Sequence, residues 1–551
     1  MRNFKKLVTV ILLFVIYNNM CGQQRNKPKL VVGIVIDQMK YEYLYRFQDN
    51  YTENGFKRLI NEGFNVKNLN YNYIPTETGP GHASIYTGTT PANHGIVSND
   101  WYDRDTKSMV YCAEDKDAVL VDNNGIENNN FQFSRSPKNN LTSTITDELK
   151  LFSNKRSKVI GISLKDRGAI LPAGHMADYA FWYDNKNGHF ITSSFYNDKL
   201  PDWVKEFNNR HLADSLLEKK WEPLLAIEKY LNSNPDDAPL ECIYVGKTKS
   251  IFPYDLSALK KENGGYQLLM QTPFGNSLLT QFAKATILGE SMGKQSDIDF
   301  LTISYSSTDK VAHDFGIRSK ELEDTYVRLD REIEELLNYL DNYIGKGNYL
   351  LFLTADHAAS DNPDFLKSVK LPGKFFDPKK IEATLNQKLS VEFGRNDYIS
   401  YMDNTQIFVN SHNIPKKDII GKLQEYLLEV DGVREVFAPT LKDQCYFNST
   451  IGNFVINSYN SERSGDIIYQ MYPEWMAKRN YGTSHGTSYN SDTHVPLLWF
   501  GWNIPKGETM KYHEITQIAP TLSFLLNIPL PNSANSNPIE EIFNQKQQKS
   551  K

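Results

Sequence analysis

Cysteine is scarce: the 551 residues contain four, at positions Cys21, Cys112, Cys242 and Cys445. Their wide spacing matches no zinc-binding pattern. With Cys21 set aside an odd number remains, so at least one has no disulfide partner within the chain. The apolar run LVTVILLFVI, from Leu7 to Ile16, is too short to span a bilayer. A strong charge of either sign is missing too. With 66 acidic against 61 basic residues the formal charge is −5, and no Lys/Arg run is paired with aromatics, so nothing argues for nucleic acid as a partner. Attraction for a small anion must therefore be local. No repeat with a period of roughly 20 to 50 residues is present, so the chain is not a repeat array.

What is present begins with an export signal. Arg2, Lys5 and Lys6 precede the apolar run and a polar stretch follows, so residues 1–23 read as a secretory signal peptide, for the periplasm or the outside. Cys21 follows Asn-Asn-Met, a poor lipobox, so a lipid anchor is the less favoured outcome. The rest, with 40% hydrophobic residues in the whole sequence, suffices for one large core or two domains. Residues 173–297 lose regular periodicity, with a helix expected near 215–233, while residues 361–481 alternate helix and strand patterns as a small α/β subdomain would. Both are expected to be insertions in one domain spanning 24–538. The first would form a substrate rim, and residues 539–551 would be a disordered polar tail.

The stretch most suggestive of chemistry is residues 70–100, NYNYIPTETGPGHASIYTGTTPANHGIVSND, dense in Gly, Pro, Thr and Ser. It reads as turns around a short helix, where backbone can approach a bound group. Thr78 is its candidate nucleophile. A hydroxyl needs a neighbouring base or a metal ion to become nucleophilic. No GxSxG elbow surrounds Thr78, which leaves metal as the route.

Ligand-type side chains end several apolar runs. KLVVGIVIDQM ends in Asp37; the run beginning at Ile298 leads to Asp309 and His313, four apart and so on one side of a helical turn; NYLLFLTADHAAS ends in Asp356 and His357. Runs of this composition read as doubly covered parallel strands, and open α/β sheets bind ligands beyond the carboxyl ends of their strands. His485 and His494, in the segment before the apolar VPLLWFG, compete for a further ligand position. Each residue alone has a bland reading: a cap for Asp37 or Thr78, a helix-face pair for Asp309 and His313, a turn for Asp356 and His357. The coincidence of all of them at strand ends argues against that. Residues 158–170, KVIGISLKDRGAI, read as a strand on which Lys165 and Arg167 alternate with Asp166 and share a face. They suit either a dianionic phosphoryl group or a solvated strand end. Asn99 reads equally as a turn residue.

The set Asp37, Thr78, Asp309, His313, Asp356, His357 and His485 resembles the two-zinc site of the alkaline phosphatase superfamily. The likeness is to its PafA-like, phosphate-irrepressible bacterial members, carried by IPTETGPGHASIYTGTTPANHGI, ISLKDRGAI, GHMADYAFWYD, HGTSY and DTHVPLL. It spans nearly all of the mature chain. The resemblance implies an α/β three-layer sandwich with a mostly parallel central sheet and inserted subdomains. It implies two zinc ions, one on Asp37, Thr78, Asp356 and His357 and the other on Asp309, His313 and His485, the last preferred to His494 because it precedes Gly. It also implies hydrolysis of small-molecule phosphate monoesters through a phosphothreonine at Thr78, with Asn99, Lys165 and Arg167 on the phosphoryl oxygens, by a monomer. A phosphodiesterase or nucleotide pyrophosphatase of the same superfamily is the alternative. A phosphate-binding protein without turnover is a remote one, and a sulfatase is disfavoured because Cys112 lies in YCAEDKD rather than a CxPxR-like setting.

Overall fold

The structure is a computed structural model that describes residues 27–126, 135–441 and 449–543. The signal segment with Cys21, residue Cys445 and residues 544–551 lie outside the described residues.

The core elements, in chain order, are β1 (Leu30–Ile36), β2 (Phe64–Asn70), α1 (Thr78–Thr87), β3 (Val159–Ser163), α2 (Asp166–Ala173), β4 (Tyr179–Tyr183), α3 (Phe274–Gly289), β5 (Asp299–Tyr305), α4 (Ser307–Phe315), α5 (Lys320–Leu340), β6 (Tyr349–Thr354), β7 (His494–Gly501) and α6 (Ile518–Leu526). Their strands form the body of a 12-stranded sheet in the order β2–β7–β6–β1–β5–β3–β4. Strands β6, β1, β5, β3 and β4 are mutually parallel. Only β7 among them runs the other way, antiparallel to both β6 and β2. The sheet is therefore mixed but mostly parallel, as the resemblance implies.

Alternation along β5 proves that both faces are covered. Ser304 meets His82 of α1 at 2.9 Å, whereas its neighbour Tyr305 hydrogen-bonds Thr280 of α3 at 3.0 Å. All seven residues of β1 are buried, as a strand of Val, Ile and Leu between two helix layers must be. Gly33 at its centre has a packing reason: a Cβ there would lie 2.5 Å from the Tyr86 hydroxyl of α1. No described helix is long and apolar enough to cross a membrane.

Residues 374–477 build a second, four-stranded sheet, ordered Ile399–Met402, Gln406–Val409, Ile467–Met471, Val433–Phe437 and antiparallel throughout. Helices Pro378–Phe393 and Lys416–Leu428 pack on it through Leu385, Leu389, Ile419 and Leu423, a core separate from the main one.

Four expectations need correction. The strand read over 158–170 stops at Ser163, and Asp166 opens a helix; short apolar runs such as GAIL carry no decisive periodicity. Residues 173–297 contribute β4 and α3 to the core, so they are not wholly a rim. The helix expected near 215–233 is confined to Leu212–Leu217, followed by the short strand Lys220–Trp221. Residues 539–543 are not a solvated tail: Ile539 and Ile542 are fully buried in the main core, and the Ile539 amide donates to Thr521 Oγ1 at 2.9 Å. Two isoleucines in a Gln/Asn-rich context were outvoted by composition.

Candidate active site

The parallel strands deliver their side chains to one edge of the sheet. Asp37 follows β1, Lys165 follows β3, Asp309 and His313 lie on α4 after β5, and Asp356 and His357 follow β6. Thr78 is the first residue of α1, and the loop before β7 brings His485. Because β7 is antiparallel, its beginning lies at the same edge as the ends of the others.

These residues form two overlapping clusters. Asp309, His313 and His485 each offer a ligand atom within 4.8 Å of the others, and so do Asp37, Asp309 and His357. Asp309 Oδ1 lies 3.0 Å from His313 Nε2 and 3.8 Å from His485 Nε2, while His357 Nε2 lies 3.5 Å from Asp37 Oδ1 and 3.7 Å from Asp356 Oδ2. The rings of His357 and His485 stack at 3.6 Å.

The imidazoles are oriented alike. Nδ1 of His313, His357 and His485 faces the carbonyl oxygen of Thr483, Ala358 and Thr76 at 2.8, 3.0 and 2.7 Å. A carbonyl only accepts, so Nδ1 carries the hydrogen and the Nε2 lone pair is left for a cation. Burial favours the neutral form of two of these rings, holding His357 down at about 3 and His485 well below the usual range. Asp37 Oδ1, Asp356 Oδ2 and His357 Nε2 are buried without a hydrogen-bond partner. Burial, then the charge of Asp37, pushes Asp356 well above the carboxylate range. Asp309 is the reverse case: burial opposes ionisation, but His313 and Lys165 hold it well below that range.

Thr78 faces the cations. Its Oγ1 accepts from Lys165 Nζ and from Arg167 Nη2, each at 3.5 Å. Lys165 Nζ also lies 2.6 Å from both Asp37 Oδ2 and Asp309 Oδ2. Burial disfavours that ammonium, yet Asp309 and Asp37 raise its affinity for the proton above the ordinary value. Arg167 donates to the Tyr111 hydroxyl at 3.2 Å, and Asp166 is held by Arg135 at 2.5 Å. Lys165 and Arg167 thus converge because a helix starts between them, not because they share a strand face. The Asn99 carboxamide oxygen accepts from the Gly79 amide at 2.8 Å, which leaves its Nδ2 hydrogens as donors.

His494 lies outside both clusters: its Nε2 donates to the Lys67 carbonyl oxygen, 2.8 Å away, and its ring stacks on Tyr41 at 4.8 Å. Gln38 was missed by sequence reasoning. It has left-handed backbone, φ 63°, and its Nε2 donates to Asp309 Oδ1 at 2.8 Å while its amide donates to Asp356 Oδ1 at 3.1 Å. Its only sequence signal is adjacency to Asp37.

A family model described as type I phosphodiesterase / nucleotide pyrophosphatase matches residues 31–496. A protein of Myroides odoratus named calcium-transporting ATPase is 42% identical over 553 residues, covering 98% of this chain and 100% of that protein. Alkaline phosphatase PhoV of Synechococcus elongatus is 42% identical over 521 residues, covering 94% and 93%. Alkaline phosphatase PafA of Elizabethkingia meningoseptica is 41% identical over 548 residues, covering 96% and 97%. The crystal structure of wild-type PafA superposes with a TM-score of 0.90 at 40% identity, covering 94% of this chain and 99% of that one.

Proposed function

The chain belongs to the type I phosphodiesterase / nucleotide pyrophosphatase family, with the bacterial alkaline phosphatases PhoV and PafA among its relatives, and on that premise we propose that it hydrolyses phosphate monoesters by way of a phosphothreonine at Thr78. The observation that carries the reading is Thr78 Oγ1 lying 3.5 Å from both Lys165 and Arg167, beside a cluster of carboxylates and imidazoles.

The donor set fits metal. The unpartnered buried atoms Asp37 Oδ1, Asp356 Oδ2 and His357 Nε2, with imidazoles whose Nδ1 is held by a carbonyl, are what a divalent cation requires. Asp37, Thr78, Asp356 and His357 would hold one zinc and Asp309, His313 and His485 the other. Two such ions, when bound, supply electrophilic stabilisation of the attacking and leaving oxygens of an in-line displacement.

The chain's own residues do the rest. Thr78 Oγ gives up its proton and bonds to phosphorus as the ester P–O bond breaks; the electron pair leaves with the alcohol oxygen, which takes up a proton. Water then attacks phosphorus, the Thr78 oxygen departs and is reprotonated, and inorganic phosphate is released. Lys165 and Arg167 neutralise the non-bridging oxygens, Arg167 as a fork and Lys165 as a point charge, and Asn99 Nδ2 adds a donor. The position of Thr78 at the start of a ten-residue helix favours negative charge there as well. The export signal read over residues 1–23 supports action in the periplasm or outside the cell.

The test is kcat/KM of metal-loaded protein for p-nitrophenyl phosphate, its bis ester and p-nitrophenyl sulfate, with and without chelator. A monoester preference of several orders of magnitude, abolished by chelation and reduced far more than diesterase activity in a Lys165→Ala/Arg167→Ala variant, is the expected outcome. The family's own description favours diesters as the second reading, and a diester preference would establish it; a dianion employs two cations better than a monoanion does, which is why the monoester comes first.

A further inference from the structure

Two cavities of opposite character adjoin the site. The larger, about 500 Å³, is lined by Lys165, Arg167, Arg135 and Lys310. The smaller, about 280 Å³, touches the site through Asn99 and His485, and its far wall comes from the inserted subdomain: Tyr401, Met471, Trp475 and Met476. Glu77, Asp100, Asp403 and Asp492 also line it, and no Lys or Arg does among the described residues. Two of its carboxylates are fixed: Glu77 accepts from Ser98 Oγ and the Asn99 amide, both at 2.8 Å, and Asp403 accepts from the amides of Thr405 and Gln406, both at 2.7 Å. Tyr401 is fixed too, half-buried and with Tyr102 parallel to it at 5.5 Å and 9°.

We propose that this smaller cavity receives the alcohol half of the ester, and that it selects monoesters of flat, uncharged alcohols such as a nucleoside over alcohols that carry a second phosphate. The proposal rests on the monoesterase reading above. In an in-line displacement the leaving oxygen departs opposite the attacking one. The phosphoryl oxygens are engaged by Lys165 and Arg167, which line the other cavity, so the alcohol is left the side bounded by His485. An aromatic and thioether wall favours a flat apolar face, with the stacking that any nucleobase can make. Carboxylates on a wall that carries no Lys or Arg among the described residues repel a further anionic group. The volume is at the small end of ligand sites, roughly 300 Å³, which suits one nucleoside rather than a polymer.

The experiment compares kcat/KM of the metal-loaded full-length protein for adenosine 5′-monophosphate, adenosine 3′,5′-bisphosphate and methyl phosphate. The monophosphate should exceed the bisphosphate by about tenfold or more. Tyr401→Ala should lower the ratio of adenosine monophosphate to methyl phosphate by about tenfold, the scale of one base–aromatic stack. Asp100→Asn should raise the ratio of bisphosphate to monophosphate several-fold. Equal losses on both esters in Tyr401→Ala, or a bisphosphate turned over as well as the monophosphate by the unmodified protein, would overturn the assignment. Methyl phosphate turnover with unmoved ratios would sink the leaving-group site alone, whereas no turnover of any ester would sink the phosphatase reading beneath it.

Discussion

The edge of the central sheet and the subdomain at 374–477 are both α/β, but they are built for different tasks. Strands of the first are buried on both faces, and the titratable groups of the site, His485 apart, hang from their ends or from the helices that follow. In the second, the inner strands Gln406–Val409 and Ile467–Met471 are buried but the outer ones, Ile399–Met402 and Val433–Phe437, leave their middle residues partly exposed, around a small separate core. Chemistry sits where packing over-determines side-chain position; the wall contributed by the subdomain can vary without disturbing it.

The strongest way to break this contrast is at the core. Thr78→Ala should lower kcat/KM for p-nitrophenyl phosphate by roughly 10⁴-fold or more, the scale for removal of a covalent nucleophile. Acid-quenched turnover of the unmodified protein should leave phosphate on the peptide containing Thr78. Label on another peptide, or an active Thr78→Ala, would remove the mechanism and with it the division of labour.

A change at the junction sharpens the comparison. His485 stands in the segment that returns from the subdomain to β7, and His485→Ala should lose about one zinc per chain by elemental analysis, with activity down roughly 10²-fold or more. His494→Ala should keep its full metal complement, because that ring binds the Lys67 carbonyl and Tyr41 instead. The reverse pattern would move the metal site.

The smallest expected effect on chemistry belongs to the subdomain core. Leu423 is fully buried there. Leu423→Ala should cost about 2–5 kcal/mol locally, read as faster amide exchange across residues 378–477, while kcat/KM for methyl phosphate changes by less than about threefold. A loss of activity as large as that from His485→Ala would mean that the two regions are one cooperative unit.

The parallel core was legible because its strands are continuous apolar runs, and a run such as LVVGIVI has few other uses. The Asp309–His313 pair was legible because helical geometry puts residues four apart on one side, and their atoms meet at 3.0 Å. Lys165 and Arg167 were placed together for the wrong local reason, since a strand-to-helix turn does what alternation on a strand was expected to do. The burial of Ile539 and Ile542 was hidden by the polar residues around them.

The sequence by itself determined which side chains end the core strands, since that depends only on neighbours along the chain. Tertiary structure alone decided how they combine: that Asp309 belongs to both clusters, that Gln38 bridges Asp309 and Asp356, and that His485 rather than His494 reaches them. The reason is sequence separation. Gln38 and Asp309 are 271 positions apart, and His485 and the Thr76 carbonyl that orients it are 409 apart. Contacts of that range are fixed by the register of a folded sheet, which no local pattern encodes.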